Sequence, residues 1–291
     1  MTIEEAEDMI IDAYENYSHP DGHMLIEAVR FLAEETRDPM HITHLGALYR
    51  ETGRPDLALK CFEEAATRGY ADAYACLGQM WSSGKAGAED QAKAFEYYTK
   101  AAAGGDTGAE CRLADMYRYG WHAEKDHDRY CKMIEAVYER VKDSSWMDEP
   151  LTDVLNRMAE IRRDQGRTGE AIGLLHEARL IQSAILKYTP VAEELQTMEK
   201  LTESLYEMTG CDMNDLGLFD VFHLFRKPCR VRFEYEGRSF EAEAVSEGGA
   251  ITVIFDGRCY RSAGEFLEKA HVGGERLAAI ANDIYGMEVI R

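Results

Sequence analysis

The chain has 291 residues, of which 45% are hydrophobic and 30% are charged, as is usual for a water-soluble protein. It carries 54 Asp and Glu against 33 Lys and Arg, which gives a formal net charge of −21 at pH 7. No apolar run is long enough to span a membrane, and the acidic N-terminal segment does not resemble a secretory signal. The seven cysteines form no CxxC pair. We therefore expect a cytoplasmic protein with reduced thiols and no membrane partner.

Most of the negative charge lies in the first 225 residues. Residues 226–291 contain 10 Lys and Arg against 11 Asp and Glu, a net charge of −1, so the rest of the chain carries about −20. Such a field repels nucleic acid backbones and favours a basic partner. The same acidity can also serve solubility alone, and both interpretations stay open at this point.

The elements in chain order begin with a helix pair predicted over residues 3–18 and 22–36. From Leu45 the sequence then repeats, because Leu45, Leu77 and Leu113 are spaced 32 and 36 residues apart. A fourth copy, Met158 to Arg179, matches Leu45 to Ala66 at a constant offset of 113. A longer helix is predicted over about 189–208.

Each copy is predicted to be a hairpin of two short amphipathic helices. Apolar residues recur three and four positions apart, and a glycine-containing turn such as ETGRPD or DQGRTG separates the two helices. Small residues such as Ala65 let the helices approach closely. One hairpin cannot bury its own apolar stripe, so successive hairpins must stack.

These copies resemble the tetratricopeptide repeat (TPR) and the related Sel1-like repeat. The first and fourth copies have the short TPR turn, whereas the second has the longer loop SSGKAGAED followed by KAFEYYTKAAAGG, which is similar to the Sel1-like pattern. The resemblance covers residues 40–185, and more loosely 3–208. It implies a mostly α fold, a right-handed α-solenoid of helix hairpins, that acts as a protein-interaction scaffold.

The resemblance also implies a concave groove lined by the first helix of each hairpin. The alignment of the repeats selects the residues at the groove positions as partner-binding candidates, and these are of mixed charge. The alternative is that this polar helix face only contacts solvent. The candidates are Arg50, Glu51, Gln79, Asp115, Arg118, Tyr119, Glu160 and Arg163.

From about Pro228 the apolar period changes to two, which predicts β-strands. Glu-Gly and Asp-Gly dipeptides between the apolar runs predict tight hairpins. Ser262 with Glu265 forms a capping-box pattern, followed by two predicted short helices broken at Gly273 and Gly274 and a last strand at GMEVI. The expected organisation is a helical repeat domain at 1–208, a linker at 209–227 and a small α+β domain at 228–291.

Residues Phe255–Phe266 of this tail resemble the RAMA-type domain, a module that accompanies restriction and DNA-methylation enzymes. That resemblance implies contact with DNA or a DNA-linked protein, for which the local basic cluster is Arg226, Lys227, Arg230 and Arg232. The other interpretation is a charged strand edge that resists aggregation. Cys229 and Cys259 are expected on adjacent strands, as core thiols or as a redox pair.

The sequence contains no familiar phosphate-binding, zinc-protease or nucleophile-elbow motif. His41 and His44 lie three apart on a predicted helix, but no further metal ligand is indicated. We therefore expect no enzyme activity, no cofactor and no metal.

The leading hypothesis is a scaffold that holds a protein or peptide, with the tail supplying a second contact or a homodimer interface. The alternative is a regulatory protein whose tail contacts DNA while the repeats bind an effector.

Overall fold

The computed structural model describes residues 1–15, 22–144, 150–188, 192–210, 217–247 and 250–290. The chain forms two compact units, Met1–Arg140 and Val141–Arg291. In the described part of the chain, no helix combines the length and the apolar character needed to cross a membrane.

The first unit consists of helix pairs, as the repeat predicts. Its helices are α1 (Ile3–Glu15), α2 (Gly22–Thr36), α3 (Pro39–Glu51), α4 (Pro55–Ala66), α5 (Ala71–Ser82), α6 (Gln91–Ala103), α7 (Thr107–Tyr119) and α8 (His127–Val141). Aspartates start several of them: the Asp38 carboxylate accepts the Met40 N–H at 2.8 Å, and Asp90 accepts the Lys93 N–H at 3.0 Å. Local sequence therefore sets where these helices begin.

Within two hairpins of the first unit, a glycine of the first helix faces an aromatic ring of the second. A Cβ atom at Gly46 would lie 2.6 Å from the Phe62 ring, and one at Gly78 would lie 2.7 Å from the Tyr98 ring. Both rings are buried. The helix spacing in these hairpins therefore requires glycine at these two positions.

At the equivalent positions of the third and fourth repeats, the two facing residues differ in size from those of the first two repeats. At offsets of 36 and 113 residues, alanine stands in place of glycine and an aliphatic side chain in place of the ring. All four side chains are buried: Ala114 with Ile134, and Ala159 with Leu175. The burial of Ile134 also places the second helix of the third repeat in register with the second helices of the other repeats. In that helix, Val137 stands where the other repeats have alanine.

The second unit combines three helices with a small α+β region. It contains α9 (Leu151–Asp164), α10 (Thr168–Tyr188), α11 (Ala192–Thr209), a 3-10 helix (Leu218–Asp220), α12 (Val221–Leu224), β1 (Cys229–Tyr235), β2 (Arg238–Glu247), β3 (Ala250–Phe255), β4 (Arg258–Tyr260), α13 (Ala263–Lys269), β5 (His271–Val272), β6 (Glu275–Arg276), a second 3-10 helix (Ala281–Asp283) and β7 (Tyr285–Ile290). The mostly helical fold followed by an α+β tail is confirmed.

Five antiparallel strands form the main sheet, in the order β4-β3-β2-β1-β7. Both predicted hairpin turns are confirmed. Glu236-Gly237 and Asp256-Gly257 have positive φ at both residues, between 48° and 71°, as a type I′ turn requires. The predicted N-cap is confirmed as well, since the Ser262 hydroxyl accepts the Glu265 N–H at 3.1 Å.

Two expectations for the tail are wrong. The segment after Gly273-Gly274 is not the predicted short helix: the two glycines form the turn of the β5–β6 hairpin, in which Val272 pairs with Glu275, and only a 3-10 turn follows at Ala281–Asp283 before β7. Cys229 and Cys259 are not on adjacent strands, because β2 and β3 lie between β1 and β4. They therefore cannot form the pair that the sequence suggested.

Helices α10 and α11 of the second unit share one hydrophobic core with the sheet. Leu186 on α10 and Met198 on α11 belong to the same buried cluster as Val231 and Phe233 on β1. The compact units thus divide between residues 140 and 141, whereas the sequence-based division into 1–208, 209–227 and 228–291 stays a prediction.

A buried ion pair reinforces this core. The Asp220 carboxylate accepts hydrogen bonds from Arg179 on α10 at 3.0 Å, from the Tyr206 hydroxyl on α11, and from the Gly217 N–H at 2.7 Å. Because Asp220 is buried, removal of Arg179 would leave its negative charge uncompensated. The network joins α10 and α11 to the segment that leads into the sheet.

We predict that Ala65→Leu destabilises the protein by about 1–3 kcal/mol, because Ala65 is fully buried and the larger side chain would overpack the hairpin. Glu63→Leu on the same helix is the matched control, since Glu63 is exposed. Urea unfolding followed by circular dichroism measures both variants. Equal stability of the two variants would contradict the repeat alignment that places Ala65 between the helices of its hairpin.

Candidate partner-binding surface

The structure brings together two of the predicted groove residues from consecutive repeats. Arg50, near the end of α3, donates a hydrogen bond to the side-chain carbonyl of Gln79, near the end of α5. The two helices are the first helices of their hairpins and contact each other. Glu51, beside Arg50, is exposed. We call the side of α3, α5 and α7 that carries the predicted groove residues the inner face.

The third repeat contributes an arginine held between aromatic rings. Arg118 on α7 donates to the Tyr130 hydroxyl at 3.2 Å. Its guanidinium carbon lies 5.2 Å from the ring centre of Tyr119 and 5.0 Å from that of Tyr130. Asp115, one turn earlier, is buried, whereas the Tyr119 side chain is 51% exposed. The predicted candidates of α7 therefore differ in accessibility.

The candidates of the fourth repeat lie in the second unit. Glu160 and Arg163 are both on α9, and the Arg163 guanidinium lies 3.6 Å from the Asp164 carboxylate and 3.9 Å from that of Glu207. Ion pairs this exposed contribute about 0–1 kcal/mol. A role for Glu160 and Arg163 in a groove with the other repeats stays a prediction.

Sequence reasoning missed Trp121, which lies two residues after the end of α7. Its ring stacks on Tyr119, with centroids 4.7 Å apart and planes 27° apart, and its side chain is 47% exposed. The signal was present in the sequence as a tryptophan placed just after a helix-ending glycine, where a polar loop residue is usual.

A repeated cation–aromatic contact was missed as well. The Lys93 ammonium lies 3.7 Å from the Trp81 ring centre, and the Arg129 guanidinium carbon lies 4.0 Å from the Tyr117 ring centre. The two pairs correspond at an offset of 36 residues. Each contact joins the start of a second helix to the end of the first helix of the same hairpin. These cations therefore stabilise the hairpins.

The thiols of Cys61 on α4 and Cys76 on α5 are unreactive. Burial raises the pKa of Cys76 to about 11, although Arg50 nearby acts in the opposite direction. Burial, followed by the neighbouring Glu64, raises the pKa of Cys61 to about 11. Since the thiolate is the reactive form, neither residue is a nucleophile near neutral pH.

The two histidines of α3 have separate environments. The His41 ring nitrogen Nδ1 lies 2.9 Å from the Thr36 hydroxyl, close to the start of the helix. Burial, followed by the charge of His41, lowers the pKa of His44. Among the residues that the structure describes, no group of three or more His, Cys, Asp or Glu is arranged to hold a metal ion.

The basic cluster of the tail is largely paired with carboxylates. Arg226 forms an ion pair with Glu203, and Arg230 lies 3.1 Å from Glu243.

Arg232 bridges two strands, with contacts of 2.8 Å to Glu241 and 3.0 Å to Glu288. Lys227 is exposed. Nucleic acid contact by these residues stays a prediction, and the ion pairs agree with the interpretation as a charged strand surface.

Comparison with known proteins gives similarity at the level of structure. No protein-family model matches the chain, and a search of curated proteins gives no match. A Sel1 repeat protein from Oxalobacter formigenes is 15% identical, with a TM-score of 0.48 over 73% of this chain and 86% of that protein. A protective antigen of uropathogenic Escherichia coli with an SLR fold is 17% identical, with a TM-score of 0.45 over 77% of this chain and 53% of the antigen.

A thermophilic TPR protein from Thermus thermophilus is 19% identical, with a TM-score of 0.34 over 60% of this chain and 94% of that protein. These neighbours carry the Sel1 and TPR repeats that residues 40–185 resemble. The RAMA-type resemblance of the tail stays a prediction.

We predict that iodoacetamide near pH 7 modifies Cys259 well before Cys61 and Cys76. Cys259 is exposed, whereas a pKa of about 11 leaves only about one thiol in ten thousand ionised at Cys61 and Cys76. Mass spectrometry of peptides from a labelling time course measures the order. Equal rates at the three cysteines in the folded protein would contradict the assignment, and labelling in urea provides the control.

Proposed function

We propose that this protein is a non-enzymatic scaffold that binds a protein or peptide along the inner face of its helical repeats. The observation that carries the proposal is the Arg50–Gln79 hydrogen bond, which joins predicted groove residues of two repeats. Because each side chain is oriented by the other, the inner face presents ordered polar groups. Such groups lose less conformational entropy when a partner binds.

The charge of the first unit supports a basic partner. Residues 1–140 contain 27 Asp and Glu against 15 Lys and Arg, a net charge of −12. A field of this sign accelerates the association of cationic proteins and slows that of nucleic acids. We therefore expect binding of the partner to weaken as ionic strength rises.

The thiols support a reducing compartment. The described cysteines are free, including the exposed Cys259, and Cys61 and Cys76 have raised pKa values. Free thiols at the surface are typical of the cytoplasm, where we place this scaffold. The tail adds a second contact or a homodimer interface, while the ion pairs of Arg230 and Arg232 favour a structural role for these arginines.

We predict that the Arg50→Ala/Gln79→Ala double variant loses a partner captured by the wild-type protein from lysate of the native host. The loss should correspond to at least about tenfold weaker binding, as expected for contacts at the centre of an interface. Arg30→Ala is the matched control, because Arg30 lies on α2 and pairs with Glu27 at 2.6 Å, away from the predicted groove positions. Undiminished capture by the double variant would refute binding at the inner face.

A further inference from the structure

The end of α7 fixes the position of an exposed tryptophan. Gly120 adopts φ of 76°, and the N–H groups of both Gly120 and Trp121 donate to the Met116 carbonyl at 3.0 Å. A Cβ at position 120 would lie 3.4 Å from the Cβ of Lys125, in a backbone conformation that side chains disfavour. This helix-ending motif sets the direction in which Trp121 leaves the helix.

Trp121 forms the end of an aromatic stack at the surface. Its neighbour in the stack is Tyr119, and about half of each side chain is exposed. Large aromatic rings that are already held in place lose little freedom on binding, which is why tryptophan and tyrosine dominate interface hot spots. The pair is therefore preorganised to make contact with another molecule.

The chain itself shows which group this stack accepts. Arg118 lies against the Tyr119 ring at 5.2 Å and against the Tyr130 ring at 5.0 Å. The contacts thus run from the exposed Trp121 through Tyr119 and Arg118 to the buried Tyr130. A guanidinium is planar and weakly hydrated, so it stacks on aromatic faces more readily than an ammonium group does.

The charge around Trp121 favours a cation. The loop that follows it and the first turn of α8 contain three acidic residues, Glu124, Asp126 and Asp128, against two basic ones, Lys125 and Arg129, and all five are exposed. The whole first unit has a net charge of −12, from 27 acidic and 15 basic residues. Nucleobases also stack on aromatic rings, but this field opposes their phosphates.

We propose that Trp121 and Tyr119 anchor a basic segment of the partner protein, in which an arginine guanidinium stacks on Trp121 while nearby carboxylates balance the positive charge. This inference rests on the proposed function and specifies the chemistry of the partner. It also extends the inner face beyond the residues that repeat register selected, since Tyr119 belongs to that set and Trp121 does not.

Fluorescein-labelled Gly/Ser peptides with evenly spaced arginines provide the probe, and otherwise identical peptides with lysine or glutamate provide its controls. Titration with the full-length protein at low ionic strength, followed by fluorescence anisotropy, should give the order arginine, lysine, glutamate. Trp121→Ala should weaken binding of the arginine peptide by about twofold to fivefold, the range of exposed cation–π contacts. Gly120→Ala should weaken it as well, because that change displaces the ring without removing it.

Leu180→Ala is the matched control, because Leu180 is an apolar side chain that is 74% exposed in the second unit. Its affinity for the arginine peptide should equal that of the wild type. Wild-type affinity in Trp121→Ala, equal affinity for arginine and lysine peptides, or stronger binding of single-stranded oligothymidylate would each overturn the inference. Retention of the native partner by Trp121→Ala, together with its loss from Arg50→Ala/Gln79→Ala, would overturn this inference and leave the proposed function standing.

Discussion

In two hairpins of the first unit, a glycine of the first helix fits closely against an aromatic ring of the second helix. The inner face depends on this packing. At Gly46 there is no space for even one further carbon atom beside Phe62, and the same holds for Gly78 beside Tyr98. Because protein interiors are close-packed, neither member of such a pair can grow without displacing the other. The fit therefore sets the separation and rotation of the two helices in each hairpin.

That constraint explains how a short sequence repeat builds an ordered surface. Arg50 and Gln79 lie one and three residues before the ends of neighbouring first helices, and their hydrogen bond forms because packing holds those helices at a fixed spacing. At the third repeat the surface changes from polar to aromatic, since α7 ends in Tyr119 and continues into Trp121. The polar contact between the first two repeats thus follows from this packing, whereas the third repeat, with Ala114 and Ile134 at the equivalent positions, ends in the aromatic pair.

The sequence predicts the helix pairs, the two hairpin turns and the Ser262 cap because each has a strong local signal. It does not reveal Gly46, since a glycine inside a helix gives no sign of the ring that it faces. The LAAIA segment after Gly274 has helical propensity, but Leu277 and Ile280 are buried in the core of the second unit instead, and tertiary packing overrides a weak local preference. The sequence does place Trp121 just after the glycine that ends α7, but it does not reveal that the ring is exposed, because exposure depends on neighbours from outside the local sequence.

A double-mutant cycle at Gly46 and Phe62 tests the packing rule most directly. The fourth repeat uses alanine and leucine at these positions, in Ala159 and Leu175, so Gly46→Ala combined with Phe62→Leu recreates a pair that the chain already contains. Urea unfolding of both single variants and of the double variant gives the coupling free energy. We predict that each single change lowers the free energy of unfolding. The loss in the double variant should be smaller than the two single losses added together, by at least about 1 kcal/mol. Additive effects would contradict the rule.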